Sequence, residues 1–176
     1  MTDRVVIRPM QLSDVAQVHS IDQQSFSMPW PASAYEYELK ENPYSLVWVA
    51  AISSEREAPI VVGIIVVWLI LDEAHIASIA VHPDYRSQGI ARKLLITALR
   101  AAIRRGSQIA TLEVRAQNLI AQRLYKRFKF EIVGKRVRYY RDNNEDALIM
   151  TLSGLGTTYL DWLDQANWQD EAPSEH

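Results

Sequence analysis

Apolar residues recur along this chain in two rhythms. Short unbroken or alternating runs read as strands: Val5-Val6-Ile7-Arg8, Leu46 to Ile52, Ile60 to Leu71, His75 to Val81 and Ile109 to Val114. Between them, apolar residues three and four apart read as helices. Val15, Val18 and Ile21 share one face of a first helix, which Ser13 can cap and which runs through Asp22. Met28-Pro29-Trp30-Pro31 is a break, and Pro31 suits the first turn of a second helix. Leu94, Leu95, Ala98 and Ala102 mark a third helix from Ile90 to Arg105, ended by Gly106. Ala121, Leu124, Tyr125 and Phe128 line one side of a fourth, from Gln117 to Phe128. The polar stretch Ser53 to Pro59 is a hairpin loop, and Ile132 to Tyr140 pairs with Ala147 to Leu152 around Asp142-Asn143-Asn144. After Leu152 the pattern loosens at Gly154 and Gly156. A short amphipathic helix follows, Tyr159 to Trp168, and then an acidic polar tail, Gln169 to His176. The order predicts an α+β fold in which helices cover a mixed, mostly antiparallel sheet.

The run from Ile60 to Leu71 is the longest apolar stretch, and its length decides its place. About twelve residues fall short of the roughly 20 that a membrane-spanning helix needs, and its Val and Ile content favours a buried strand. The N-terminal Met1-Thr2-Asp3-Arg4 lacks the basic-then-apolar order of a secretory signal, and the chain reads as cytoplasmic and free of membranes. The 176 residues suffice for one domain with a substantial core. A formal net charge of −2 gives no ground for direct nucleic-acid binding. The absence of cysteine excludes disulfides, thiolate zinc sites and a cysteine nucleophile together. His19, His75, His82 and His176 lack metal-ligand spacing and read as structural or exposed, so no metal is expected.

Two segments carry candidate chemistry. In the first, Ile79-Ala80-Val81 ends a strand, His82-Pro83-Asp84-Tyr85-Arg86-Ser87-Gln88-Gly89 forms a loop, and Ile90-Ala91-Arg92 opens a helix. Such a junction leaves backbone N–H groups unpaired at a positive helix end, and Gly89 and Ala91 let another molecule approach closely. That arrangement can cradle a pyrophosphate, or be a plain strand–helix turn. It is not a P-loop, because no Gly-Lys-Ser/Thr follows. The second segment is Leu112 to Asn118 with Tyr125. Glu113 sits in an apolar strand, where a carboxylate needs a task or a partner. Asn118 and Tyr125, seven apart, share a helix face; they can serve a ligand, or cap the helix and fill the core.

Together these segments resemble the GNAT superfamily of acetyl-CoA-dependent N-acetyltransferases, whose signature Arg/Gln-x-x-Gly-x-Gly/Ala is matched by Arg86, Gly89 and Ala91. The resemblance extends to the RimI-type branch, which acetylates the N-terminal amine of a ribosomal protein. Its matching stretches here are Ser25 to Trp30, Ile79 to Ala91, Leu112 to Asn118, Leu124-Tyr125, Arg138-Tyr139-Tyr140 and Glu145 to Met150. The resemblance implies a sheet that splays at the cofactor-binding strands and a catalytic domain over residues 1–152, with 153–176 as an extension of no assigned role. It implies acetyl-CoA as cosubstrate. The backbone of Ile79, Ala80 and Val81 would hold the pantetheine arm, and Arg86 with Ser87, Gln88, Gly89, Ile90, Ala91 and Arg92 the pyrophosphate. Asn118 would touch the cofactor arm, Glu113 would be the general base, and Tyr125 the acid that protonates the leaving thiolate. Trp30, Tyr139, Tyr140 and Asp146 would meet the acceptor, a protein N-terminus, although Trp30 is equally a core aromatic. One departure stands out. Lys129 occupies the position after the Tyr-bearing helix where such proteins have glycine; in a left-handed cap it costs on the order of 1 kcal/mol.

The implied chemistry is consistent with these residues. The attacking amine must be neutral. A peptide α-amine has a reference pKa of about 8 against about 10.4 for lysine, so at pH 7 it is roughly a hundredfold richer in the neutral form. One carboxylate, acting through a water, suffices to take its proton. Two other readings keep the same fold: a small-molecule amine as acceptor, and an acyl-CoA-sensing module without catalysis. Glu113 and Tyr125 together argue against the second.

Overall fold

The apolar run becomes β3 (Ile60–Ile70), which is covered on both faces, and this is why it shows so little alternation. Its Val62, Ile65 and Val67 enter one hydrophobic core, while Val61, Ile64 and Val66 enter a second on the opposite face. The structure, a computed structural model, describes residues 4–53 and 58–166; the middle of the Ser53–Pro59 loop, Trp168 and the acidic tail lie outside them. Around β3 the chain runs β1 (Arg4–Pro9), α1 (Val15–Ser25), α2 (Ala32–Lys40), β2 (Ser45–Ser53), then β4 (Glu73–Val81), α3 (Ile90–Arg104), β5 (Ile109–Arg115), α4 (Leu119–Arg127), β6 (Glu131–Tyr140), β7 (Glu145–Ser153) and α5 (Thr157–Gln165). Among the described residues no helix is long and apolar enough to cross a membrane.

The strands form one sheet in the order β1-β2-β3-β4-β5-β7-β6. All neighbours are antiparallel except β4 and β5. α1 and α2 pack on one face through Val15, Val18, Ile21 and Tyr35. α3, α4 and α5 pack on the other through residues that include Leu94, Leu95, Leu99, Tyr125, Phe128, Tyr159 and Leu163. α3 lies close because β3 carries Gly63 there: a Cβ at that position would stand 3.1 Å from both Ile90 Cγ2 and Leu94 Cδ1.

The functional feature of the sheet is where it fails to pair. β4 and β5 are in register only from Glu73–Ile109 to His75–Thr111. Beyond that, β4 stays with β3 and β5 stays with β7, so the two strands part. Their separation bears out the expected splay. A bulge in β4, where pairing steps from Val66–Ser78 to Val67–Ile76 past Ala77, rephases the strand just after the last shared pair.

Three local readings are corrected or completed. Ser13 does not cap α1. A 3₁₀ turn, Leu12–Asp14, precedes the helix; the Asp14 carboxylate takes the Gln11 N–H at 2.8 Å and pairs with Arg8 through two bonds of 2.7 and 2.9 Å. A bidentate ion pair outcompetes a serine cap at this position. Pro31 stands just ahead of α2 in extended backbone rather than inside its first turn. Lys129 does take the left-handed conformation, φ 67°, and its ammonium lies 4.2 Å from the centroid of Trp162 on α5.

Candidate active site

At the mouth of the cleft, the loop after β4 is shaped by two left-handed residues, Ser87 (φ 61°) and Gly89 (φ 73°). Gly89 is the residue at the N-terminal cap of α3, and glycine adopts this conformation without steric cost. The first N–H groups of α3, one short loop after β4, have no intrahelical carbonyl to meet. Arg86 braces the loop from behind, donating to the Val81 carbonyl at 3.0 Å and to Ser25 Oγ at 3.2 Å. Among the described residues β4 has no strand partner on its β5 side beyond His75, so the backbone edge from Ile79 to Val81 faces the cleft. Apart from the Val81 carbonyl that Arg86 takes, this edge lacks a strand partner on its β5 side among the described residues. One loop carries it into the bare helix N-terminus, an order that suits an amide-containing arm that ends in a pyrophosphate.

β5 sets what faces the cleft from below. Ala110, Leu112 and Val114 are buried on the α3–α4 side, which turns Thr111, Glu113 and Arg115 to the α1–α2 side. Two residues past the last shared pair, Glu113 meets His75 of β4: Nε2 and Oε2 are 2.7 Å apart, and Arg136 of β6 stands 3.4 Å from the other carboxylate oxygen. The bond to His75, against the opposing effect of burial, holds the Glu113 carboxyl below its ordinary range, and Arg136 adds to this. Glu113 therefore has the partner that its place in an apolar strand demanded.

Tyr125 approaches from the other face. It is buried in the core beside Phe130, ring centroids 5.9 Å apart, and burial pushes its phenol well above the ordinary value, with Tyr140 adding to the rise. Such a hydroxyl keeps its proton at any physiological pH. Glu113 and Tyr125 thus flank the parted strands from opposite sides of the sheet. Tyr140 stands between them in the electrostatics of the site, with its own hydroxyl pushed up to about 12, chiefly by burial.

The remaining candidates separate. Asn118 caps α4, its Oδ1 accepting the Ala121 N–H at 3.1 Å. Trp30 stacks on Trp68 at 6.1 Å and tilts against Tyr35 at 5.4 Å, and Trp68 in turn meets His75 at 5.5 Å. This aromatic row runs from α2 to the Glu113 pair through Trp68 and His75, and Trp30 packs, half-buried, against the core. Tyr139 is exposed, with the Arg136 guanidinium 5.3 Å from its ring centroid. Asp146 turns to β6 instead. It accepts the N–H of left-handed Arg138 at 2.8 Å and pairs with Lys135 at 3.4 Å, holding an irregularity in that strand.

Four residues at the site escaped the sequence reading. His75 and Arg136 are visible only once β4, β5, β7 and β6 are known to be neighbours. Arg115 and Ser27 form a strap. Arg115 donates to Asp142 Oδ2 at 2.9 Å, Glu145 Oε1 at 3.3 Å, Asn143 Oδ1 at 3.2 Å and Ser27 Oγ at 3.2 Å, and its guanidinium lies 3.9 Å from the Tyr140 centroid. Ser27 also bonds Asp142. The strap joins the α1–α2 segment to the β6–β7 turn across the end of β5. The only hint in sequence was an arginine on the polar side of β5 opposite an acidic turn.

Comparison with known proteins agrees with this geometry. The chain matches the acetyltransferase (GNAT) family over residues 15–130. A protein of Bacillus subtilis (strain 168), provisionally named a ribosomal protein bS18-alanine N-acetyltransferase, is 37% identical over 150 residues, covering 85% of this chain and 96% of its own. The crystal structure of the ribosomal-protein-S18-alanine N-acetyltransferase from Escherichia coli superposes with a TM-score of 0.74 at 29% identity, covering 85% of this chain and 94% of that one. The structure of a NatC complex bound to Gag peptide and CoA matches with a TM-score of 0.75 at 25% identity, over 85% of this chain and 98% of that one. By its family match, its parted β4–β5 sheet and its glycine-turned helix N-terminus, the chain belongs to the GNAT family of acetyltransferases.

Proposed function

We propose that this protein transfers the acetyl group of acetyl-CoA to the N-terminal α-amine of a ribosomal protein by direct attack on the thioester. The observation that carries the reading is the opening between β4 and β5, with the Glu113–His75 pair on one side, buried Tyr125 on the other and the Ser87–Gly89 turn at its mouth. The names of the Bacillus subtilis and Escherichia coli relatives support the ribosomal acceptor.

Acetyl-CoA brings the acyl group already activated as a thioester. The edge of Ile79, Ala80 and Val81 holds its amide-bearing arm. The N–H groups from Ser87 to Arg92 hold the pyrophosphate at the positive end of α3. The acceptor enters beside the strap that ties the α1–α2 segment to the β6–β7 turn, past Trp30, Tyr139 and Tyr140. Glu113, ionised throughout the neutral range and held by its bond to His75 until then, takes the amine proton through a water and becomes neutral. Arg136 keeps the carboxylate aimed. Tyr125, held protonated by its apolar surroundings, gives its proton to the departing sulfur.

A direct test is turnover of acetyl-CoA against peptides that differ only in their first residue, with an N-terminally blocked lysine peptide as control. The proposal expects free α-amines to be acetylated and the blocked peptide to be left untouched. Turnover with polyamines but with no peptide would transfer the activity to a small-molecule acceptor.

A further inference from the structure

α5 lies beyond the stretch that resembles the RimI-type branch, yet it closes the helix that carries Tyr125. α4 has nine residues, too few to hold itself together in water. Its N-terminal half is tied down twice: Asn118 caps it, and the Gln122 side chain donates to the carbonyls of Arg115 and Ala116 at 3.1 and 2.9 Å. Its C-terminal end lacks the glycine that would turn the chain. Lys129 makes the turn instead, with φ 67°. There the Tyr125 carbonyl collects the N–H groups of Phe128 and Phe130 at 3.0 and 3.1 Å, so the backbone of Tyr125 is itself part of the cap.

α5 supplies what the glycine would have made unnecessary. The Tyr159 hydroxyl, buried, donates to the Phe128 carbonyl at 2.9 Å. Trp162 receives the Lys129 ammonium on its face at 4.2 Å and packs on Tyr159, ring centroids 5.2 Å apart. Leu155, Tyr159 and Leu163 lie in the same core cluster as Tyr125 and Phe128. Loss of the Tyr159 hydroxyl would remove this donor from the end of α4 and loosen its last turn within that core.

We infer that Tyr159 of α5 is a positioning residue for acetyl transfer, fixing the last turn of α4 and through it the hydroxyl of Tyr125. The inference rests on the reading of Tyr125 as proton donor to the leaving thiolate. It gives the segment after Leu152 a part in the reaction without contact with either substrate.

The test is a double-mutant cycle on the full chain, using Tyr159→Phe, Tyr125→Phe and the two combined. Steady-state turnover is measured beside acetyl-CoA affinity, and hydrogen exchange is followed over residues 125–130. Tyr159→Phe is expected to fold, to bind acetyl-CoA as wild type does, and to lose about tenfold in kcat, the equivalent of one hydrogen bond's worth of misplacement. Exchange at Phe128 to Phe130 should quicken. In the Tyr125→Phe background the same substitution should cost no further turnover, because the hydroxyl it positions is gone. Lys129→Gly, which removes the left-handed strain, should restore part of the kcat lost in Tyr159→Phe. Wild-type kcat in Tyr159→Phe beside a slow Tyr125→Phe would overturn the positioning role alone. A Tyr159→Phe loss that persists in full without the Tyr125 hydroxyl would do the same. Wild-type kcat in Tyr125→Phe would overturn the proton donor, and this inference with it.

Discussion

Replacing Glu113 by Gln keeps the shape of the side chain and removes its charge, and the structure sets two separate consequences. The first is on stability. The substitution would forfeit the charge-assisted bond to His75 at 2.7 Å and the pair with Arg136 at 3.4 Å. Bonds to charged groups contribute about 1.5–3 kcal/mol, and the half-exposed Arg136 adds at most about 1 kcal/mol. A loss of about 2 kcal/mol at neutral pH should lower Tm by roughly 4–8 °C for a chain of this size. The sign with pH follows from the depressed carboxyl. A group whose folded pKa lies below its unfolded one stabilises fully above the unfolded value, and that contribution is lost as pH falls through the folded value. The Tm difference between wild type and Glu113→Gln should therefore be full at pH 7 and close in acid, below the ordinary carboxylate range. The second consequence is on rate. With acetyl-CoA affinity unchanged, turnover of an α-amine peptide at pH 7 should fall by about 10²–10⁴, the usual worth of a general base. The deficit should shrink toward pH 8 and above as the acceptor amine arrives already neutral. Thiol release gives the rate, calorimetry the affinity and thermal melts the stability. Full activity of Glu113→Gln at neutral pH would refute the assigned base. A rate loss that merely followed the unfolded fraction would leave Glu113 as a strut for His75.

Saturating acetyl-CoA should stabilise the wild-type chain by about 2.7 kcal/mol at 100 times its Kd, seen as a rise in Tm, and Gly89→Glu should abolish that rise. The variant should fold with a penalty of about 1–2 kcal/mol from its left-handed backbone, and binding as in wild type would put the cradle elsewhere. Tyr125→Phe should bind acetyl-CoA normally yet turn over slowly, with a smaller deficit for acyl donors whose leaving thiol has a lower pKa; an equal deficit for all thiols would remove the proton-donor role. Gly63→Val should cost about 1–3 kcal/mol in denaturant melts, because its Cβ alone meets Ile90 and Leu94 at 3.1 Å; an unchanged midpoint would show that α3 can move away freely.

How far the site was legible depended on whether its logic is local or crosses strands. β3 announced itself because burial on both faces leaves an unbroken apolar run. The strand–helix turn at Gly89 was readable as a turn, but a phosphate cradle and a plain turn look alike there until Arg86, Gly89 and Ala91 are matched to the family signature. Lys129 was readable as a departure, and its left-handed φ followed. His75 was not readable as the partner of Glu113, since 38 positions separate them and only the parallel β4–β5 step brings them to 2.7 Å. Arg136 and the Arg115–Asp142–Ser27 strap were hidden for the same reason. Ser13 misled because its cap signal is local, while the ion pair that displaced it draws Arg8 from β1. α5 was visible as an amphipathic stretch, but nothing in its periodicity says that Leu155, Tyr159 and Leu163 join the core beside Tyr125.

Whether the acceptor is an α-amine is the central question, and one peptide can decide it. The acceptor would carry a free N-terminal alanine and an internal lysine, be incubated with enzyme and acetyl-CoA at pH 7, and have its acetyl group located by fragment-ion mass spectrometry. Acetyl is expected on the alanine nitrogen, in at least the roughly hundredfold excess set by the neutral fractions of the two amines. Acetyl on the lysine Nζ, or none on the peptide while a small amine is consumed, would contradict the proposed activity.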